Sequence, residues 1–147
     1  MSTRVSDEEI YKITQIYNRN FPDSPHREEY KARQYRSRED LPVNIVIKQE
    51  DRIVGLLESR AKTVDGNNVR LLQTLLVAPE YRQRGLGKRM FEKLTRHVGP
   101  DQEIVVHFRH RNKRRLEALY TRLGFTCLHE AGEYSNGETK WRMMFSE

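Results

Sequence analysis

The string VAPEYRQRGLGKRMFEKL, Val77 to Leu94, sets Arg82, Gly85 and Gly87 between the end of an apolar run and the start of a helical one. Glycines allow close backbone approach, and the successive amides of Arg84 to Lys88 can converge on one anion. A helix N-terminus there adds about half a positive charge. Arg82, Arg84, Lys88 and Arg89 crowd that same end, where the helix dipole disfavours cations, so something negative is expected to join them. The chemistry this spacing supports is phosphate binding. A Gly-rich turn with a solvated basic face is the plainer reading of a lone GxG. Two rival phosphate motifs fail: there is no GxxxxGK[ST] string, and RQRGLG lacks the first glycine of GxGxxG.

Other residues could move protons. His107 is polar in the apolar run IVVHF (104–108), and a strand buried on both faces usually excludes such a group unless it is used. A satisfied core histidine and a proton acceptor both fit that position. Tyr120 lies on a helical stripe, either packed as a core ring or placed to hold a proton that a phenol of pKa near 10 keeps at neutral pH. Cys127, the single cysteine, has no His beside it suited to nucleophilic chemistry and is assigned no role. His97, His110 and His129 lack metal-ligand spacing, so no metal is expected.

The elements that must position these groups can be read from periodicity. Ser6 and Glu9 have capping-box spacing, and Ile10, Ile13, Ile16 and Tyr17 recur at helical intervals, predicting a helix over 7–19. Ser24-Pro25 opens a second, mostly polar helix. VNIVIK (43–48), RIVGLLES (52–59) and VRLLQTLLV (69–77) read as an antiparallel meander, with a turn at Asp65-Gly66-Asn67-Asn68. A helix over 85–98, a strand over 104–108, a helix over 112–123 capped by Gly124, and a hairpin of FTCLHE and KWRMMF complete the chain. A strand, a helix and another strand in succession around 69–108 suggest a crossover between parallel strands, right-handed by rule.

Arg82-Gln83-Arg84-Gly85-Leu86-Gly87 resembles the Q/R-x-x-G-x-G/A signature of the GNAT superfamily of N-acetyltransferases. RNKRRLEALYTRLGF (111–125) is similar to a second segment of that family, with Asn112, Leu119, Tyr120, Gly124 and Phe125 in register. The order of elements matches as well. The resemblance therefore implies one N-acetyltransferase domain over 1–147, of α+β class in three layers: a mixed, mostly antiparallel sheet of six to seven strands with about four helices on both faces.

It further implies acetyl-CoA as donor, with its diphosphate on the amides around Gly85 and Gly87, from Arg84 through Leu86 to Lys88, and with Arg82 and Gln83 also in the coenzyme site. The pantetheine arm would pair with the backbone of Leu75, Leu76 and Val77, and Asn112 and Arg115 would contact the coenzyme, Arg115 near its 3′-phosphate. Tyr120 corresponds to the family's general acid, which protonates the departing thiolate. Only a neutral amine attacks a thioester. Neutralising a lysine at pH 7 costs roughly 4.6 kcal/mol, whereas an α-amine costs about 1, so the acceptor decides how strong a base is needed. His107 falls where N-terminal acetyltransferases of this superfamily carry a catalytic Glu or His, with Glu58 as a reserve base. Many histone-type members have a Glu in the stretch that reads VRLLQTL here, and this chain has none. The expected acceptor is a primary amine, a peptide N-terminus ahead of a small metabolite, attacking directly in a ternary complex.

Composition bounds the alternatives. The 147 residues carry 27 Lys+Arg against 21 Asp+Glu, a net charge of +6, with 36% apolar side chains. That suffices for one core, and a mean hydropathy of −0.87 demands an ionic surface. No run approaches the ~20 apolar residues of a membrane span, and MSTRVSDEEI lacks a signal peptide's apolar segment. The expectation is a soluble, cytoplasmic protein, monomer or homodimer, without a membrane partner. RHRNKRR (109–115) raises two competitors: a basic nucleic-acid-binding domain, weakened by the lack of interleaved aromatics, and a catalytically silent coenzyme A binder.

Overall fold

The computed structural model describes residues 7–20, 43–100 and 102–146. The helix expected to open at Ser24-Pro25 lies outside the described residues. Among the described residues the helices and strands follow in the order α1 (Asp7–Asn20), β1 (Val43–Gln49), β2 (Arg52–Val64), β3 (Asn67–Val77), α2 (Leu86–Val98), β4 (Ile104–Arg109), α3 (Lys113–Leu123), β5 (Thr126–Glu133) and β6 (Thr139–Phe145). Short 3-10 turns at Pro79–Tyr81 and His110–Asn112 lead into α2 and α3.

The strands form one sheet in the order β1-β2-β3-β4-β6-β5. Every neighbouring pair is antiparallel except β3 and β4, which are parallel. The β2–β3 hairpin is longer than hydrophobicity suggests. Its turn is only Asp65-Gly66, both at positive φ (51° and 81°), so Val64 pairs with Asn67 and the polar stretch from Arg60 to Thr63 is drawn into the ladder. Two central residues with φ above zero match the right-handed twist of the flanking strands.

Helices cover both faces, as a three-layer arrangement requires. Ile13 and Ile16 of α1 pack on Val54, Leu56 and Leu76. On the other face Met90, Phe91 and Leu94 of α2 and Tyr120 of α3 join Leu57, Leu72, Val106, Phe108, Phe125 and Met143 in the larger core. Gly55 sets the depth of α2: a Cβ there would sit 3.2 Å from Cε and Sδ of Met90. Gly124, at φ 104°, ends α3 in the left-handed conformation that an L side chain resists.

Candidate active site

The two central strands part almost at once. β3 and β4 are paired only at Arg70 with Ile104 and at Leu71 with Val105, so beyond Leu72 and Val106 the sheet opens into a wedge. On the wedge's β3 side, Leu75 to Val77 pair with β2 alone among the described residues, which give the edge facing β4 no strand partner there. Such an edge presents backbone donors and acceptors to an extended ligand. This is the stretch expected to meet the pantetheine arm.

The segment leaving β3 builds the anion cradle. After the Pro79–Tyr81 turn, Arg82 folds back and donates from Nε to the carbonyl of Val77 at 3.2 Å. Gln83 and Gly85 both take positive φ (63° and 76°), reversing the chain into α2. The first intrahelical bond runs from Arg89 N to Gly85 O at 3.0 Å, so the amides of Leu86, Gly87 and Lys88 lack a helical acceptor. Gly85 has no side chain to cap them, and α2 has no acidic residue in its first turn. Glu80, the nearest carboxylate before them in sequence, is engaged elsewhere: Arg19 and Arg52 hold it at 3.0 and 2.7 Å. A backbone hydrogen bond within its own residue and those guanidiniums bring its carboxyl down to about 2. Cβ atoms added at Gly85 or Gly87 would meet nothing within 4 Å, so the space beside both is open. Three amides without a helical acceptor, a positive helix end and open space beside two glycines fit a diphosphate.

Tyr120 and Asn112 stand at the opposite wall. Tyr120 is buried, its ring parallel to Phe108 at a centroid distance of 6.2 Å and edge-on to Phe125 at 5.2 Å. Burial pushes its phenol up to about 12, with Arg115 on α3 pulling slightly the other way. Its hydroxyl makes no hydrogen bond among the described residues, and neither does the side chain of Asn112, which stands at the N-cap of α3 without capping it. Arg115 is exposed on α3. Among the described residues, the side-chain amide of Asn112 and the hydroxyl of Tyr120 thus have no hydrogen-bonding task.

His107 departs from the expectation of a base. Arg142 on β6 donates from Nε to its Nε2 at 2.9 Å, so the ring is neutral with its proton on Nδ1 and its one lone pair occupied. Burial, with Arg142, Lys140, Lys62 and His129 adding to it, lowers the ring to about 4. A group that weakly basic takes little from an ammonium at neutral pH. Glu58 is buried on β2, opposite Thr74, and alternation from Val54 and Leu56 puts it on the α1 side.

One residue escaped the reading by motif. Gln73 has no Cα partner where the β2–β3 register shifts between Glu58 and Ser59, and it is exposed in a strand whose neighbours are buried. Extending the parallel register from Leu71 and Val105 brings Gln73 level with His107 at the foot of the wedge. A bulge re-aims one side chain. Its signal in sequence is a lone glutamine inside an apolar strand.

The basic run beside Asn112 is largely paired. Glu138 binds Arg109 at 3.2 Å and Arg111 at 2.8 Å, and Arg111 holds its carboxyl at about 2. Lys113 pairs with Glu117 at 3.3 Å and stands 4.8 Å from the Trp141 ring. No group of His, Cys, Asp and Glu suited to a metal occurs among the described residues. No described helix is long and apolar enough to cross a membrane.

The sequence profile of the acetyltransferase (GNAT) family matches residues 10–125. No curated protein sequence matches the chain. Among solved structures it is similar to an acetyltransferase from Thermus thermophilus, with 15% identity, 99% of this chain and 95% of that one covered, and a TM-score of 0.73. It is likewise similar to Arabidopsis thaliana Naa50 in complex with the bisubstrate analogue CoA-Ac-MVNAL, with 17% identity, 99% and 97% covered, and a TM-score of 0.70. An aminoglycoside 6′-N-acetyltransferase complexed with coenzyme A gives 13% identity, 94% and 90% covered, and a TM-score of 0.72.

Proposed function

The chain belongs to the acetyltransferase (GNAT) family, and on that footing we propose that it transfers the acetyl group of acetyl-CoA to a primary amine by direct attack in a ternary complex. The observation that carries this is the uncapped start of α2 at the open end of the β3–β4 wedge. Acetyl-CoA, when bound, supplies the acetyl group as a thioester.

The chain's own residues do the rest. Amides of Leu86, Gly87 and Lys88 take the diphosphate, with Arg82, Gln83, Arg84, Gly85 and Arg115 around the coenzyme, and the free edge from Leu75 through Leu76 to Val77 aligns the pantetheine arm. Asn112 contributes its unused amide from the α3 side. Tyr120, protonated up to about 12, hands its proton to the sulfur as the thiolate leaves. The ammonium proton leaves through water held at the foot of the wedge by Gln73, with Glu58 the remaining carboxylate on that side. His107 orients Arg142 instead of accepting the proton.

The acceptor reading is an α-amine of a peptide or a small molecule. A peptide α-amine needs only about 1 kcal/mol to neutralise, which suits a site with no strong base. It is in keeping with the peptidyl analogue held by the Arabidopsis relative and with an aminoglycoside enzyme of the same fold. The test is release of free coenzyme A from acetyl-CoA over N-terminal peptides, lysine peptides, polyamines and amino acids. Turnover with α-amines supports the reading, and coenzyme release that no amine accelerates contradicts it.

A further inference from the structure

The α1 side of β4, β6 and β5 carries basic residues in two rows. His107, Arg142 and His129 face one another across the three strands, and Arg109 and Lys140 form the next row toward the open end of the wedge. Lys62, from the β2–β3 hairpin, is close enough to act on the His107 ring together with Arg142, Lys140 and His129. The exposed end of the hairpin offers Asp65, which is bound to Arg142 at 3.0 Å, and Glu138 is bound by Arg109 and Arg111. Glu58 is buried further along, on β2.

Arg142 is the informative member. Its Nε is held by His107 and its Nη1 by Asp65, which fixes the guanidinium plane, while Nη2 donates to nothing among the described residues. Its side chain is only 13% exposed. A guanidinium already immobilised at two nitrogens binds a carboxylate with little further loss of freedom. Lys62 makes no ion pair among the described residues, and Lys140 stands 5.1 Å from the Tyr134 ring, which Arg109 approaches to 4.1 Å.

We propose that Arg142 Nη2, with Lys62 and Lys140, anchors an anionic group of the acceptor, so that the preferred acceptor is an α-amine with a carboxylate a few bonds away. The proposal rests on the amine-acetylation reading and narrows its substrate class. Neighbouring strands lie about 4.8 Å apart, so a carboxylate on Arg142 of β6 leaves its own amine near β4 and the foot of the wedge. The carboxylate of a free amino acid, or the side chain of an N-terminal Asp or Glu, has that reach. The same cations favour the neutral form of the arriving amine, since like charge lowers an ammonium's pKa. That assistance stands in for the base His107 does not supply. A polyamine or a lysine-rich peptide meets like charge here instead.

The test measures kcat/KM with acetyl-CoA for peptides differing only in a first residue of Asp, Ala or Lys, and for free aspartate, glutamate and alanine. Acidic peptides are expected to exceed the Ala peptide by about tenfold, the size of one charge-assisted hydrogen bond, with the Lys peptide last. In Lys62→Gln/Lys140→Gln the acidic-to-neutral ratio should shrink to about threefold or less, through KM more than kcat, with the melting temperature reporting that the chain is folded. If free alanine, aspartate and glutamate turn over alike and faster than the Ala peptide, the source is the α-carboxylate; if the acidic ones exceed alanine, or only peptides turn over, it is the first side chain. Turnover with equal rates across the series, or with the Lys peptide first, overturns the proposal while leaving the amine reading intact. No turnover of any amine by a protein that binds acetyl-CoA overturns both.

Discussion

Arg142 and His107, 35 residues apart in sequence, are joined by a 2.9 Å hydrogen bond in which the guanidinium donates and the imidazole accepts. That bond makes the histidine a holder of Arg142. It also gives a prediction in pH. With the ring near 4 in the fold and about 6.5 when unfolded, the native state binds fewer protons between those values, so stability falls as pH drops from about 6.5 toward 4. His107→Asn should lessen the drop in melting temperature between pH 7 and pH 5. Its kcat/KM should fall less than about tenfold, with no change in the shape of the pH profile. A loss near a thousandfold, with an ascending limb near pH 6.5 abolished, would restore the histidine as base.

Tyr120 carries a different expectation. Tyr120→Phe keeps the ring against Phe108 and Phe125 and deletes only the proton donor. Turnover should fall about a hundredfold, with acetyl-CoA affinity nearly unchanged by calorimetry. An acceptor series would sharpen this, because the defect should be the same for every amine. Wild-type rates would remove Tyr120 from the reaction.

Gly87 and Gly85 separate cradle from fold. Gly87 lies inside α2 without a positive φ, so Gly87→Ala should stabilise the helix by about 0.5–1 kcal/mol while placing a methyl group where nothing now stands within 4 Å. The expected result is a raised melting temperature with acetyl-CoA affinity lowered about tenfold. Gly85→Ala should weaken both, because φ 76° strains any L side chain by about 1 kcal/mol or more. A Gly87→Ala variant that binds acetyl-CoA like the parent would argue against a diphosphate on these amides.

The basic run at 109–115 makes a prediction about nucleic acid. Glu138, shared by Arg109 and Arg111, and Glu117, on Lys113, offset two of the run's five cations, and the three that remain are few for salt-resistant binding to a phosphate backbone. Retention on heparin should collapse in moderate salt while acetyl-CoA still raises the melting temperature. Tight retention with no response to acetyl-CoA would favour the binding domain over the enzyme.

What the chain's letters disclosed follows from how far each interaction reaches. The α2 face of Met90, Phe91 and Leu94 and the buried strand from Ile104 to Phe108 are visible in periodicity because each depends on its own neighbours in sequence. Gly85 and Gly124 are visible because left-handed φ narrows the choice of residue. The polar extension of the β2–β3 hairpin is not, since Thr63 and Asn68 join the ladder only because the Asp65-Gly66 turn brings them opposite each other. The Gln73 bulge, Arg70 buried against Ser59 at 3.0 Å, and the Arg142–His107 bond all depend on partners on other strands. A histidine in an apolar strand looks the same in sequence whether its lone pair is free or taken.

The most direct measurement is a titration of 15N-labelled protein with acetyl-CoA, following the backbone amides from Gly85 to Lys88. Saturable shifts of Leu86, Gly87 and Lys88, reproduced by coenzyme A and lost when the diphosphate is removed from the ligand, are the predicted result. Saturable binding that moves other amides and leaves these three unchanged would contradict the account.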